Sequence, residues 1–389
     1  MKKFKVQNLE GERFMTFNLD TYLQELENLV NIDSGSKCLA GVEQVGEYFA
    51  DKFKTLGWKI TRHNFDQTIA PCFEISNTDK EAYDVLLLGH IDTVFPAGTV
   101  QERPFIIKDK RAYGPGVIDM KSCILSTYYA LEQLQAEGKL QDKAICLILN
   151  SEEEVGSNFT QTWIENLATK SRYVLVIESA RVNGDLVLSR KGLGRYDLEF
   201  KGVSAHAGVA PENGISAIGE LAYWITELHS LTDIAAGLTV NVGVVSGGTA
   251  ANVIAEQAKA EVDFRYVNPQ QIEQIERKLK ELIAHSQQAG VKVIIQGGAN
   301  RPPMMPNEKT KVLCALTEKI GQEVGVEVNW AATGGGSDGN FTAAIGIPTI
   351  DGLGPVGGGA HSATEYLEIE SIEKRLLLLK KLIERAPQL

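Results

Sequence analysis

Cysteine is scarce and never paired in sequence: Cys38, Cys72, Cys123, Cys146 and Cys314 are scattered, odd in number and form no C-x-x-C. This excludes a thiolate zinc knuckle and a disulfide framework, and it fits a reducing compartment. No apolar run approaches the ~18 residues of a spanning helix. The opening residues, Met1-Lys2-Lys3-Phe4-Lys5-Val6, are basic but lead into polar sequence, so a secretory leader is not expected and the cytoplasm is. Positive charge is also in deficit, with 39 Lys and Arg against 50 Asp and Glu and a net charge of −11. Nucleic acid and anionic membrane are therefore poor partners. There is no internal repeat and no low-complexity tract.

What remains is enough chain for two cores. The 389 residues exceed one ordinary core, and 43% hydrophobic with 23% charged residues describes a soluble globular protein. Helix and strand patterns alternate at first. Tyr22, Leu23, Leu26, Leu29 and Val30 mark one helix face, with Asp20 placed to cap it, and Val42, Val45, Phe49, Phe53 and Leu56 mark a second. Short apolar runs of strand type follow at residues 85–88, 144–149 and 173–177, with an amphipathic helix through Ile124, Tyr128, Leu131 and Leu134 between the first two. This alternation predicts an α/β sheet layered by helices. Near Lys191 the texture changes to strand, helix, strand, strand, helix, strand, ending at residues 291–295, the order of a split-βαβ α+β unit. After Arg301-Pro302-Pro303 the first texture returns and closes with a helix through Ile372, Leu376, Leu379 and Ile383. The predicted organisation is a discontinuous α/β domain, residues 1–191 and 302–389, interrupted by a smaller domain at 192–301.

Acids and histidines fall where the strands stop. The first apolar run leads into Gly89-His90-Ile91-Asp92, the second into Ser151-Glu152-Glu153-Glu154 and the third into Glu178. In open α/β sheets the crevice beyond the carboxyl ends of the strands is where ligands bind. A tight loop, Gly114-Pro115-Gly116-Val117-Ile118-Asp119-Met120-Lys121, brings a fourth such group, and Gly357-Gly358-Gly359-Ala360-His361 a fifth. Carboxylates gathered at the mouth of an apolar sheet repel one another unless cations sit among them. Imidazole with carboxylate and no thiolate suits zinc, or less selectively manganese or cobalt. Three carboxylates and two imidazoles are too many for one cation, whereas two can share a bridging carboxylate. Asp92, two residues from His90 on an extended segment, is placed to accept the second ring N–H of that histidine. Glu153 and Glu154, adjacent on extended backbone, are expected to point apart, so that one binds metal and the other faces water as general base.

His90-Ile91-Asp92-Thr93-Val94, the loop of residues 114–121, Glu152-Glu153-Glu154-Val155-Gly156-Ser157, Gly202-Val203-Ser204-Ala205-His206-Ala207-Gly208, Gly334-Gly335-Gly336-Ser337-Asp338 and Gly359-Ala360-His361-Ser362 occur in this order. Together they resemble the di-zinc metallopeptidase family of glutamate carboxypeptidase (carboxypeptidase G), aminoacylases and bacterial deacylases. The resemblance implies a catalytic domain of zinc-exopeptidase type interrupted by a ferredoxin-like lid and dimerisation domain. It implies that His90 and Glu178 hold one metal, Glu154 and His361 the other, and that Asp119 bridges. Glu153 would be the base that activates a metal-bridging water, and Asp92 would orient His90. His206 would be offered to the partner subunit of a homodimer as an oxyanion donor. Asn252, Arg265, Gly335 and Gly336 would contact a small substrate or short peptide with a free carboxylate, and Arg301 would be a second carboxylate contact. The implied reaction is hydrolysis of an amide next to a C-terminal amino acid, as in glutamate carboxypeptidase, with N-acyl amino acid deacylation or di- and tripeptide cleavage as alternatives. Ser122, Ala255 and Ser337 depart from residues frequent in the family, which loosens any claim to a particular substrate.

The glycine loop carries two further motifs. Gly335-Gly336-Ser337-Asp338-Gly339 fits a nucleophile elbow, with Asp351 and His361 following in serine-hydrolase order, but that arrangement leaves the strand-end acids without a task. Gly334-x-Gly336-x-x-Gly339 fits a dinucleotide fingerprint, but too little chain follows for the βαβ unit it needs. A metal- or peptide-binding module without turnover would leave Glu153 idle.

Overall fold

The computed structural model describes residues 17–389, and the basic residues 1–6 lie outside them. The chain divides into two compact units. Of the described residues, the larger comprises those up to Val187 with Pro306–Ala331 and Ile347–Leu389; the smaller comprises Leu188–Met305 and Ala332–Gly346. The smaller unit thus includes a stretch, Ala332–Gly346, that the sequence pattern assigns to the α/β domain.

The larger unit is built on a six-stranded mixed sheet. Its named strands are β1 (Lys59–His63), β2 (Cys72–Ser76), β3 (Tyr83–His90), β4 (Ile145–Asn150) and β5 (Ser171–Val176), ordered β1-β2-β4-β3-β5 and finished by the short strand Thr349–Ile350. β3 pairs in parallel with both β4 and β5, with His90 opposite Asn150 and Leu88 opposite Val176. Every residue of β4 is buried. Such strands, covered on both faces, read as continuous apolar runs without alternation. Leu86, Leu88, Cys146, Ile148, Val174 and Val176 pack with Ile164, Leu167 and Ala168 of the helix Gln161–Thr169. β1 and β2, antiparallel additions at one side of the sheet, carry Lys59, Arg62, His63 and Glu74, and this polar content hides them from an apolar-run search.

The first helix, Leu19–Val30, buries Tyr22, Leu26, Leu29 and Val30. Its cap is Asn18, whose side chain accepts from the Thr21 N–H, rather than Asp20. Asp20 lies in the first turn, where its charge complements the helix dipole.

The smaller unit has the order strand, helix, strand, strand, helix, strand. β6 (Gly192–Lys201), β7 (Thr239–Gly247), β8 (Gln257–Tyr266) and β9 (Lys292–Arg301) form an antiparallel sheet in the order β7-β8-β6-β9. Burial alternates along β8, which places one face in a core with Trp224, Leu228, Ile275 and Leu279 from the helices Ala217–His229 and Pro269–Ala284. Among the described residues no helix is long and apolar enough to cross a membrane.

Candidate metal centre

Because β3, β4 and β5 run in parallel and in register, their carboxyl ends deliver charged side chains to one edge of the larger unit's sheet. His90 is the last residue of β3, and its Nε2 lies 3.1 Å from Asp119 Oδ1 and 3.3 Å from Glu178 Oε1. His361 Nε2 lies 3.1 Å from Asp119 Oδ2 and 3.2 Å from Glu154 Oε2. The two oxygens of Asp119 therefore face two different imidazoles, each of which also meets one further carboxylate. Asp119 sits in an irregular turn before the helix Ser122–Ala136, entered through Gly116 at φ 73°, and its peptide bond to Met120 is cis. A Cβ on Gly116 would also lie 2.7 Å from Thr93 Cγ2, so this turn requires glycine.

The electrostatics ask for positive charge. Burial pushes Glu154 up to about 7 and also raises Glu178. Burial acts in the same sense on Asp119, yet the imidazoles of His361 and His90 outweigh it and hold that carboxyl below its usual range. Hydrogen bonds to Asp119 and Glu154 push His361 up to about 11. Burial opposes protonation of His90, but Glu178, Asp119 and Asp92 prevail and raise it. Glu154 Oε1 is buried and meets no hydrogen-bond donor. An unpartnered oxygen of this kind beside carboxylates and imidazoles fits a cation ligand. Ligand atoms of His90, Asp119 and Glu154 all lie within 4.8 Å of one another. Zinc bonds of about 2.0–2.2 Å in a tetrahedron separate neighbouring ligand atoms by about 3.3–3.6 Å, close to the 3.1–3.3 Å found here. The donor set fits divalent cations.

Residues 86–385 match the model of peptidase family M20/M25/M40. The chain belongs to that family. It is 30% identical over 370 residues to carboxypeptidase G2 of Pseudomonas sp. (strain RS-16), covering 93% of this chain and 88% of that protein. It is 27% identical over 352 residues to a succinyl-diaminopimelate desuccinylase of Nitrosospira multiformis, covering 84% and 89%. Its fold matches the aminopeptidase PepT structure from Bacillus cereus with a TM-score of 0.77 at 24% identity, over 95% of this chain and 99% of that one. The protein is accordingly an M20-family metal-dependent hydrolase of peptidase type, with a helix-flanked sheet and a second, α+β domain.

Several residues that support this M20 site carry no sequence signal of their own. Glu365 is buried, and its carboxylate accepts the N–H groups of Gly116 (2.9 Å), Ile118 (2.9 Å) and Asp119 (3.1 Å), pinning the turn that aims Asp119. Its nearness to His361 in sequence is the one clue available. Asp92 reaches His90 with its backbone: Nδ1 is 3.0 Å from the Asp92 carbonyl oxygen and 3.4 Å from the carboxylate. The Asp92 carboxylate also accepts the backbone N–H groups of Glu153 and Glu154, each at 3.2 Å, and the Ser36 hydroxyl at 2.7 Å. Glu153–Val155 form a 3₁₀ turn rather than the extended backbone expected. Two N–H groups drawn onto one carboxylate favour the turn, and Gly156 at φ 106° closes it. Glu152 is no solvated acid either, for its buried carboxylate accepts from Phe159 N (2.7 Å) and Thr160 N (2.8 Å).

In the smaller unit, His206 is exposed on a two-residue strand paired with Val253–Ile254. Its Nδ1 accepts the Gly208 N–H at 3.1 Å, which leaves Nε2 to carry the proton of the neutral ring. Asn252 is exposed, and its carbonyl accepts from Ala207 N. Arg265 is held bidentately by Asp263 at 2.9 and 2.8 Å. The carbonyls of Gly335 and Gly336 accept from the Arg190 guanidinium at 3.1 and 3.3 Å. Arg301 is not an open carboxylate contact: it is buried, paired with Asp338 at 2.6 Å and stacked over Phe341. Removing one partner of such a pair leaves an uncompensated buried charge and costs about 3–5 kcal/mol. Asp338→Ala should therefore lower the midpoint of urea unfolding markedly, and an unchanged midpoint would show that the pair is not structural.

The serine-hydrolase arrangement gains nothing here. Ser337 is buried with its Oγ accepting from Gly339 N, while His361 Nε2 is engaged with Asp119 and Glu154.

Proposed function

We propose that this enzyme is a cytoplasmic homodimer that removes a C-terminal amino acid from an N-acyl or short peptide substrate, with glutamate the leading candidate for the residue released. The observation that carries the reading is the Asp119 carboxylate, which shares its two oxygens between the His90–Glu178 pair and the His361–Glu154 pair. His90 and Glu178 would hold one divalent cation, His361 and Glu154 a second, with Asp119 between them; zinc suits the set best, with manganese or cobalt as alternatives. When bound, such a pair polarises the scissile carbonyl and acidifies water.

The remaining steps belong to the chain's own side chains. Glu153, fixed by its backbone to Asp92, takes the proton of the attacking water and returns it to the departing amine nitrogen. His206, protonated on Nε2 by its Nδ1 contact, donates to the oxygen that gains negative charge, and does so across the dimer. The loop through Gly335 and Gly336 would receive the substrate's carboxyl end, with Asn252, which lies at the opposite end of β8 from Arg265, reaching it across the dimer. Arg265 supplies the matching cation once a substrate carboxylate displaces Asp263 from its fork. The likeness to carboxypeptidase G2 supports release of a C-terminal amino acid, the motif resemblance makes glutamate the first candidate, and the likeness to a desuccinylase supports N-acyl amino acid deacylation as the second reading.

A panel of N-acyl amino acids and dipeptides, N-acyl-L-glutamates included, tests the reading. Release of the C-terminal amino acid is expected, fastest for glutamate. Release of the N-terminal residue of dipeptides instead, or of nothing from any compound, would refute it.

A further inference from the structure

We infer that Arg375 is a positioning residue for the metal cluster: its buried guanidinium locks the turn of residues 352–354 and so fixes the segments that carry Glu178 and His361. This rests on the two-cation reading above and concerns the larger unit alone. Arg375 lies on the helix Ile372–Arg385 and is 3% exposed. Its Nε donates to the Gly354 carbonyl at 3.0 Å. One terminal nitrogen donates to the Gly352 carbonyl at 2.7 Å and the other to the Gly184 carbonyl at 3.2 Å. Burial pulls its pKa down to about 10, which leaves it charged at neutral pH. Among the described residues no carboxylate pairs with it. A buried charge without a counter-charge is costly, and an apolar side chain here would avoid that cost. What the guanidinium supplies instead is directed donors, a rigid planar fork that satisfies three carbonyls at once.

The clamped turn leads to both halves of the cluster. The Gly354 N–H donates to the Glu178 carbonyl at 2.7 Å, and the Ala180 N–H donates to the Pro355 carbonyl at 3.0 Å. Residues 178–180 and 354–356 therefore run side by side, with Ala180 opposite Val356 in a parallel bridge. Glu178 opens the first of these segments, and His361 follows the second by five residues, through the short strand Gly357–Gly358. The two side chains belong to different halves, Glu178 facing His90 and His361 facing Glu154. The packing leaves little slack: a Cβ on Gly354 would lie 2.9 Å from the Glu178 carbonyl oxygen and 2.5 Å from Cys123 Sγ. Arg375 makes no contact with either ligand side chain among its hydrogen bonds. It acts through the backbone of the turn, as outer partners that orient metal ligands do.

Arg375→Lys keeps the positive charge but replaces the fork by a single nitrogen. It should raise the zinc dissociation constant about ten- to a hundredfold, the range for loss of a group that orients metal ligands, read by competition with a chromogenic chelator. The control is Lys380→Met on the same helix, which removes a buried cation from Glu137 and Gln133. That variant should lower Tm at least as much and bind zinc as the wild type does. Wild-type zinc affinity in Arg375→Lys, or an equal loss in both variants, would overturn the inference while leaving the two-cation reading intact. Hydrogen exchange reads the clamp without metal or turnover. In the stripped protein, Arg375→Lys should speed exchange in peptides covering residues 177–181 and 352–361 about tenfold relative to residues 145–150, the loss of about one hydrogen bond's worth of local stability. Unchanged exchange there also overturns the inference. Should Arg375→Lys not fold, the stripped wild type carries the test: zinc should slow exchange of the Gly354 and Ala180 amides by reciprocal coupling, and no slowing overturns it. A wild type that takes up no zinc, with exchange accelerated in the variant, would uphold the clamp and refute the two-cation reading.

Discussion

Glu153→Gln should lower kcat by about 10²- to 10⁴-fold, the contribution of a positioned general base, while metal content stays at the wild-type level. The reason is a division of labour within one turn. The Asp92 carboxylate accepts the backbone N–H groups of both Glu153 and Glu154, so both side chains leave from a fixed platform. Glu154 spends its side chain on the cluster, 3.2 Å from His361 Nε2, whereas Glu153 makes none of the four ligand contacts. Glutamine keeps the size and shape of Glu153 but cannot hold the proton, so the loss falls on kcat and leaves KM nearly unchanged. Steady-state kinetics alongside metal analysis checks this. A near-normal kcat would place the base elsewhere.

Asp119→Ala should have the second large effect, and of a different kind. This one side chain contacts both imidazoles, so on the proposed assignment its loss would remove a ligand from both halves at once. Metal content should fall below that of the wild type at both positions, and hydrolysis should drop at least about 10³-fold, equivalent to ~4 kcal/mol of transition-state stabilisation. Full metal content in this variant would mean that Asp119 does not bridge. Glu365→Ala offers a graded comparison. It frees two buried N–H groups and one part-buried one in the turn that aims Asp119, a buried one costing about 1–3 kcal/mol if left unsatisfied. It should lower Tm and weaken metal retention together.

Much of this arrangement is readable without coordinates because its signals are local. An apolar run that stops at His90, at the acids after Asn150 or at Glu178 announces both a buried strand and a charged end, and the parallel register of β3, β4 and β5 turns those ends into neighbours. The smaller unit is legible for the same reason, its strands alternating with period two and its helices with 3.6. What escaped reading depends on contacts between distant stretches. Glu365 meets Gly116 across 249 positions, and Ser36 meets Asp92 across 56, with no periodicity to mark either. Asn18 and Asp20 are both good caps, and sequence alone does not decide between them two residues apart. Arg301 reads as an open cation until Asp338 is found beside it in the interior. The turn at Glu153 is likewise created by a carboxylate 61 residues away.

The central claim is that five side chains converge to hold two cations that the reaction requires. Elemental analysis of the purified chain, before and after exhaustive treatment with a chelator and after readdition of zinc, tests it most directly. The expected result is about two divalent ions per chain, loss of hydrolysis when they are stripped and its return with zinc, manganese or cobalt. A chain that takes up no zinc, or that hydrolyses its substrate at full rate once stripped, would contradict it.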